Sequence, residues 1–286
     1  MKKTLFLAIA GLTALAAGLV SATPAQKNGC TSSAAPSDTI TLSGGNLLKD
    51  DMKITVAVPA SYRCDGDTAH YPTLYLLNGH GGHYRTWPNL LDIDKAATDY
   101  GMIIVCPSGM NSWYWDSPID PGMQMESFFV EKLIPAIDSL YRTRPVREQR
   151  AITGLSMGGH GALWLAMRHP DLFANAGSTS GGVNIIPFPN NWNMPDRLGK
   201  YADNKERWEQ HTVVNLVDSL QPGTLNLIFD CGTEDFFYNV NCQLDSILNS
   251  RKIHHTYITY PGAHNGAYWS KSIHPQIQYF HRMMNK

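Results

Sequence analysis

The sequence predicts an α/β fold: a central, mostly parallel sheet flanked by helices, with an antiparallel hairpin at its N-terminal side. Three observations carry that expectation. From residue 73 onward, short apolar runs bounded by glycine and proline alternate with helical patterns, as strands joined by crossover helices do. The first two strand candidates instead lie close together with no helical pattern between them. No internal repeat divides the series, so one domain over 38–286 accounts for it.

Residues 40–42 and 52–58 read as the hairpin, with Ile54, Val56 and Val58 alternating onto one face. After Pro72, residues 73–77 form a continuous apolar run suited to a buried strand, and it ends in Asn78-Gly79-His80-Gly81-Gly82. A helix over 90–100 and a buried strand over 102–107 follow, then an aromatic loop over 108–115. Phe128, Phe129, Leu133, Ile134 and Ile137 recur at helical spacing, which predicts a helix over 126–141 despite Pro135. Strand 150–154, helix 161–169 and strand 174–180 come next. Residues 182–213 lack a clean period and read as an insertion acting as a cap or lid, with one helix near 205–210. Strands at 225–230 and 255–260, with helices between and after them, complete the series.

Composition excludes several function classes. Hydrophobic residues make up 43% of the 286 and charged residues 16%, which fits a packed globular protein. The net charge of -1 supplies no field for phosphates, so nucleic acid is not an expected partner. Lys2 and Lys3 precede an apolar run over 5–20 and then the small residues Ser21, Ala22 and Ala25. This pattern predicts a signal peptide over 1–22, or to 25, and a disordered linker over 23–37. The run is too short and too rich in Ala and Gly for an anchor, so no stable membrane insertion is expected after cleavage; the destination is secreted or periplasmic.

Export would place Cys30, Cys64, Cys106, Cys231 and Cys242 in an oxidising compartment, and the odd count leaves at least one free. Cys106 reads as a buried free thiol, while Cys231 and Cys242 flank a short loop and form the best candidate pair. No clustered Cys and His spacing suggests a metal site.

Chemistry concentrates in Gly154-Leu155-Ser156-Met157-Gly158, placed between the 150–154 strand and a helix starting near Met157. A serine at such a turn is pushed out over the sheet edge as a nucleophile, and the strand–turn–helix context separates it from an incidental glycine turn. Its hydroxyl needs a base, and the base needs an acid to orient it. The expected chain order is Ser, acid, His. Asp235, in the loop after strand 225–230, is the chosen acid, with Asp230 and Glu234 as competitors. His264, in the loop after the last strand, is the chosen base; His254 and His255 precede that strand and His274 falls in the last helix. The oxyanion donors are the backbone N–H groups of Met157 and of His80, the latter in a loop that a plain glycine turn also explains.

These residues resemble the esterase D family of α/β-hydrolases, which includes tributyrin-type esterases, S-formylglutathione hydrolases, feruloyl and acetyl-xylan esterases, and mycolyltransferases. The likeness runs from about Ile54 to the C-terminus. It is carried by Leu76 to Gly82, by Gly154 to Gly159 with Gly161-Ala162, by Cys231-Gly232-Thr233-Glu234-Asp235 and by Pro261-Gly262-Ala263-His264. The resemblance implies an α/β-hydrolase fold, a catalytic set of Ser156, Asp235 and His264, and oxyanion donors at His80 and Met157. It implies no cofactor. Asn78-Gly79-His80 stands where many members begin His-Gly-Gly, which leaves the hole donor in that loop open.

For the substrate, Trp113, Trp115 and Trp269, with Tyr114 and Trp192, are expected as aromatic walls for a sugar ring or a feruloyl group, against the alternative that they pack the core. The expected partner is therefore an ester: an acetyl or feruloyl ester of plant polysaccharide or oligosaccharide, or a small short-chain ester. Rival readings are acyl transfer to a sugar acceptor and a non-catalytic carbohydrate-binding protein that keeps the hydrolase fold.

Overall fold

Alternation within the strands decides where the core sits. In β3 (Thr73–Leu77), Tyr75 and Leu77 face one apolar cluster while Leu74 and Leu76 face another. Likewise in β4 (Ile103–Pro107), Ile103 and Val105 are separated from Ile104 and Cys106. Successive side chains point to opposite faces of a strand, so a continuous apolar run requires cover on both sides.

The computed structural model describes residues 36–64 and 68–286; the expected leader and nearly all of the expected linker lie outside the described residues. Within them β1 (Asp38–Leu42) and β2 (Met52–Ala57) pair antiparallel with Ile40 opposite Ile54, and β2 pairs antiparallel with β4. β3, β4, β5 (Arg150–Gly154), β6 (Asn175–Thr179), β7 (Asn226–Gly232) and β8 (His255–Tyr260) run parallel. The sheet order is β1-β2-β4-β3-β5-β6-β7-β8. This is the α/β-hydrolase arrangement that the resemblance implied.

The helices are α1 (Thr86–Leu90), α2 (Ile93–Tyr100), α3 (Met125–Phe128), α4 (Ile134–Leu140), α5 (Met157–Arg168), α6 (Met194–Leu198), α7 (Lys205–Gln210), α8 (Val213–Leu216), α9 (Tyr238–Ser250) and α10 (Gly266–Met284). Three differ from expectation. The helix expected over 90–100 is two, because Leu91 is extended and the Asp92 side chain accepts from the Lys95 N–H to start α2 afresh. The helix expected over 126–141 passes through a π turn at Phe129–Leu133 that joins α3 to α4. Pro135 has no N–H and its ring crowds the carbonyl one turn back, which a wider turn relieves. The segment 182–213 holds α6 and the start of α8 besides α7, and Val183, Ile185, Met194, Leu198, Trp208 and Val213 join the larger core cluster.

Cysteine pairing also differs. Cys231 and Cys242 are both free, each held within its own element, Cys231 buried in β7 and Cys242 in α9 with its Sγ 3.6 Å from the Tyr257 hydroxyl. Cys64 is the disulfide-bonded residue, and its partner lies outside the described residues. Cys106 is free and buried.

Because the six strands from β3 onward are parallel, their C-terminal ends share one edge: Leu77 lies beside Gly154, Thr179 beside Asp230, and Gly232 beside Tyr260. Every loop that the sequence marks for chemistry leaves the sheet there.

Candidate active site

Ser156 connects β5 to α5 in a conformation that L-residues rarely adopt, φ 57° and ψ -118°. Two anchors hold it. The Ser156 N–H donates to the Thr179 carbonyl at 3.0 Å, and its own carbonyl accepts from His160 at 3.1 Å in the first turn of α5. The flanking glycines are steric necessities. A Cβ on Gly154 would meet the Gly158 backbone at 2.6 Å, and one on Gly158 would drive into the Leu77 carbonyl. The elbow thus presses against β3, and the hydroxyl projects from the sheet edge.

His264 enters on the loop between β8 and α10. Its Nε2 lies 2.9 Å from Ser156 Oγ, and its Nδ1 lies 2.8 and 3.0 Å from the two Asp235 oxygens. An ionised carboxylate only accepts, so Nδ1 carries the proton and Nε2 is left to accept from the serine hydroxyl. Asp235 is fixed in turn by the Phe237 N–H at 2.8 Å, and its side chain is fully buried. The structure brings together Ser156, His264 and Asp235 and neither rival acid: Glu234 is exposed, and Asp230 is engaged inside the sheet. His255 is occupied by Asp245 at 2.8 Å, and His274 lies exposed on α10.

The loop after β3 packs against the nucleophile, so closely that a Cβ on Gly79 would stand 3.1 Å from Ser156 Cβ. Among the described residues neither the His80 nor the Met157 backbone N–H has a protein acceptor. The loop is stitched by side-chain contacts that no sequence pattern indicates. Asn78 donates to the Gly79 carbonyl at 2.8 Å and accepts from the Gly109 N–H at 2.8 Å, while the Tyr114 hydroxyl donates to the Asn78 carbonyl at 3.1 Å. Asn111 accepts from the Gly81 N–H at 2.6 Å, and the His80 ring meets Asn193 Oδ1 at 2.7 Å. Asparagines in irregular loops carry no periodic signal, and apart from Asn78 to Gly79 these contacts join residues 30 to 113 apart.

Two expected wall residues do not line a site. Trp113 and Trp115 are 1% and 0% exposed, stacked on each other at 5.5 Å. Their indole N–H groups are satisfied internally, Trp113 by the Trp192 carbonyl and Trp115 by His160 Nε2, so they are packing residues. Tyr114 is buried with them. Trp269 does stand at the site, edge-on to the His264 ring at 4.9 Å, and half-buried Trp192 stacks on Phe236 at 5.5 Å. Phe236, which no sequence pattern marks, joins them. It is 51% exposed and its ring centroid is 4.2 Å from that of His264.

Three buried ionisable groups lie outside the Ser156–His264–Asp235 contacts: Asp230 in β7, His160 in the first turn of α5, and Glu126 against the far end of α5. Burial pushes Asp230 up to about 6, against donations from Thr179 Oγ1 at 2.5 Å and Gln276 Nε2 at 2.6 Å. Burial pushes His160 down to about 3, so it stays neutral between Trp115 and the Gly182 carbonyl. For Glu126 burial acts to raise the value, but His169, Arg168 and Trp164 all bond the carboxylate and hold it below its usual range.

Residues 45–280 match the model of the family described as "Putative esterase". The chain belongs to the Esterase family. It is 27% identical over 248 residues to the acetyl esterase of Caldicellulosiruptor saccharolyticus, covering 79% of this chain and 91% of that protein. It is 34% identical over 137 residues to Esterase MT1326 of Mycobacterium tuberculosis (strain CDC 1551 / Oshkosh), covering 46% of this chain but only 29% of that longer protein. Among solved structures, a ferulic acid esterase superposes with a TM-score of 0.74 at 25% identity, covering 87% of this chain and 98% of that one. Across the described residues of this member, no helix is long and apolar enough to cross a membrane.

Proposed function

We propose that this chain is an exported serine esterase that hydrolyses carboxylic esters through an acyl-enzyme on Ser156. The observation that carries the reading is the unbroken line of hydrogen bonds from Ser156 Oγ through His264 to Asp235. In the first half-reaction His264 Nε2 takes the hydroxyl proton as Oγ attacks the ester carbonyl, and Asp235 stabilises the imidazolium that forms. The oxyanion is received by the His80 and Met157 N–H groups. His264 then gives its proton to the leaving alcohol. In the second half-reaction it takes a proton from water, the hydroxide attacks the acyl carbonyl, and the proton returns to Ser156 as the acid departs.

Acetyl or feruloyl esters of polysaccharide, or small short-chain esters, are the proposed substrates. The acetyl esterase and ferulic acid esterase likenesses support that range. Secretion or passage to the periplasm follows from the leader-like residues 1–22. Ser156→Ala should lower hydrolysis of a simple acetate ester by about 10⁶-fold with the circular dichroism spectrum unchanged. Retained hydrolysis removes Ser156 as nucleophile. Release of free acid, and not of an acylated sugar, separates hydrolysis from transfer.

A further inference from the structure

Phe236 is a half-exposed aromatic ring directly following the residue that orients the base. A lone exposed apolar side chain is ordinary, whereas several together beside a reactive centre mark a contact surface. The surface is larger than one residue. Trp192, from the segment between β6 and β7, lies nearly parallel to Phe236 with 19° between the rings, and Phe188 tilts against Trp192 at 5.4 Å. Two distant stretches of chain therefore build one aromatic wall.

Reaction geometry says which half of an ester meets it. The carbonyl oxygen must reach the N–H groups of His80 and Met157, whereas the leaving oxygen must come within about 3 Å of His264 Nε2 to receive its proton. Substituents on the leaving oxygen thus lie on the His264 side. The Phe236 ring centroid is 4.2 Å from that of the imidazole, so Phe236 stands on the His264 side. From this geometry we infer that Phe236, backed by Trp192, is a specificity-determining wall for the alcohol half of the ester, selecting alcohols that present a flat apolar ring face. The inference rests on the serine-esterase reading of the site. A sugar and an aryl group both offer such a face, and the two sources are separated by the substrates used.

The experiment compares wild type, Phe236→Ala and Phe236→Tyr on esters sharing one acyl group: ethyl acetate, phenyl acetate and an acetylated methyl xyloside. Intrinsic reactivity cancels when each variant's ratio of kcat/KM, ring alcohol over ethyl, is divided by that of wild type. The ratio should fall about tenfold in Phe236→Ala, mostly through KM, and recover in Phe236→Tyr. A fall for the xyloside alone assigns the wall to sugars, and a fall for phenyl acetate alone assigns it to aryl alcohols. An unchanged ratio for both overturns the proposal, as does a change confined to the acyl comparison of ethyl ferulate with ethyl acetate. Ethyl acetate hydrolysis that survives Ser156→Ala overturns the underlying reading and the proposal with it; Ser156-dependent hydrolysis with an unchanged ratio overturns the proposal alone.

Discussion

Ser156 shows how a single residue is held in a rare conformation at a local cost. Its left-handed backbone persists because the Thr179 carbonyl, the α5 turn and the contact of Gly158 with Leu77 together over-determine it. Under the proposed mechanism the buried carboxylate of Asp235 has a narrower role, which is to hold one tautomer of His264. Replacing it with Asn keeps the shape but offers Nδ1 an amide in place of an acceptor-only group. Under the proposed mechanism Asp235→Asn should lower kcat by about 10³- to 10⁴-fold with KM little changed, read in steady-state hydrolysis of an acetate ester. A loss smaller than tenfold would mean that Asp235 is not the orienting acid.

Between residues and fold, the ends of β6 and β7 are joined to α10 by one buried network. Thr179 and Gln276 both donate to Asp230, Thr179 also meets Ser272 Oγ at 2.6 Å, and the Thr179 carbonyl carries the Ser156 N–H. Asp230 has an ordinary value of 3.8 and a folded value of about 6. Between those limits the folded chain keeps a proton that the unfolded chain has released, so this group's contribution to stability falls as pH rises, by about 3 kcal/mol in all. His160 acts in the other direction. Below 6.5 the unfolded chain binds a proton that the buried imidazole refuses until about 3, and stability is lost as pH falls. Since the two oppose, the informative quantity is a difference from wild type. Thermal unfolding at pH 4.5 and at pH 7 should show Asp230→Asn losing relative to wild type at the lower pH and recovering relative to it at the higher. Equal shifts at both would mean that Asp230 does not titrate in this range.

For the molecule as a whole, a parallel sheet gathers loops from positions 78, 156, 235 and 264 onto one edge, and the segment between β6 and β7 adds Trp192 and Asn193 to the same edge. Buried Val183, Met194 and Trp208 tie that segment into the larger core cluster. The proposed export concerns the entire chain, and it is tested by the mature N-terminus. Mass spectrometry of protein recovered from the periplasm or medium should find the chain beginning at residue 23 or 26. Accumulation of uncleaved chain in the cytoplasm would overturn the proposed leader.

Strand order of appearance, the elbow at Ser156 and the loops bearing Asp235 and His264 were legible in the sequence. Each is a local pattern: apolar runs, glycines at fixed offsets, and chemistry-bearing residues just after strands. The break at Leu91 and the π turn before Pro135 were less so, because short side-chain capping and turn widening leave the apolar period nearly intact. Aromatic residues were the least legible. Trp113, Trp115, Trp192, Phe236 and Trp269 look alike as letters, yet two pack the core and three stand at the edge of the sheet. What separates them is whether an indole N–H finds an internal acceptor and whether a neighbouring element covers the ring. Local chemistry is written in sequence order, whereas burial is decided by contacts between segments far apart in the chain, and only the tertiary structure holds those.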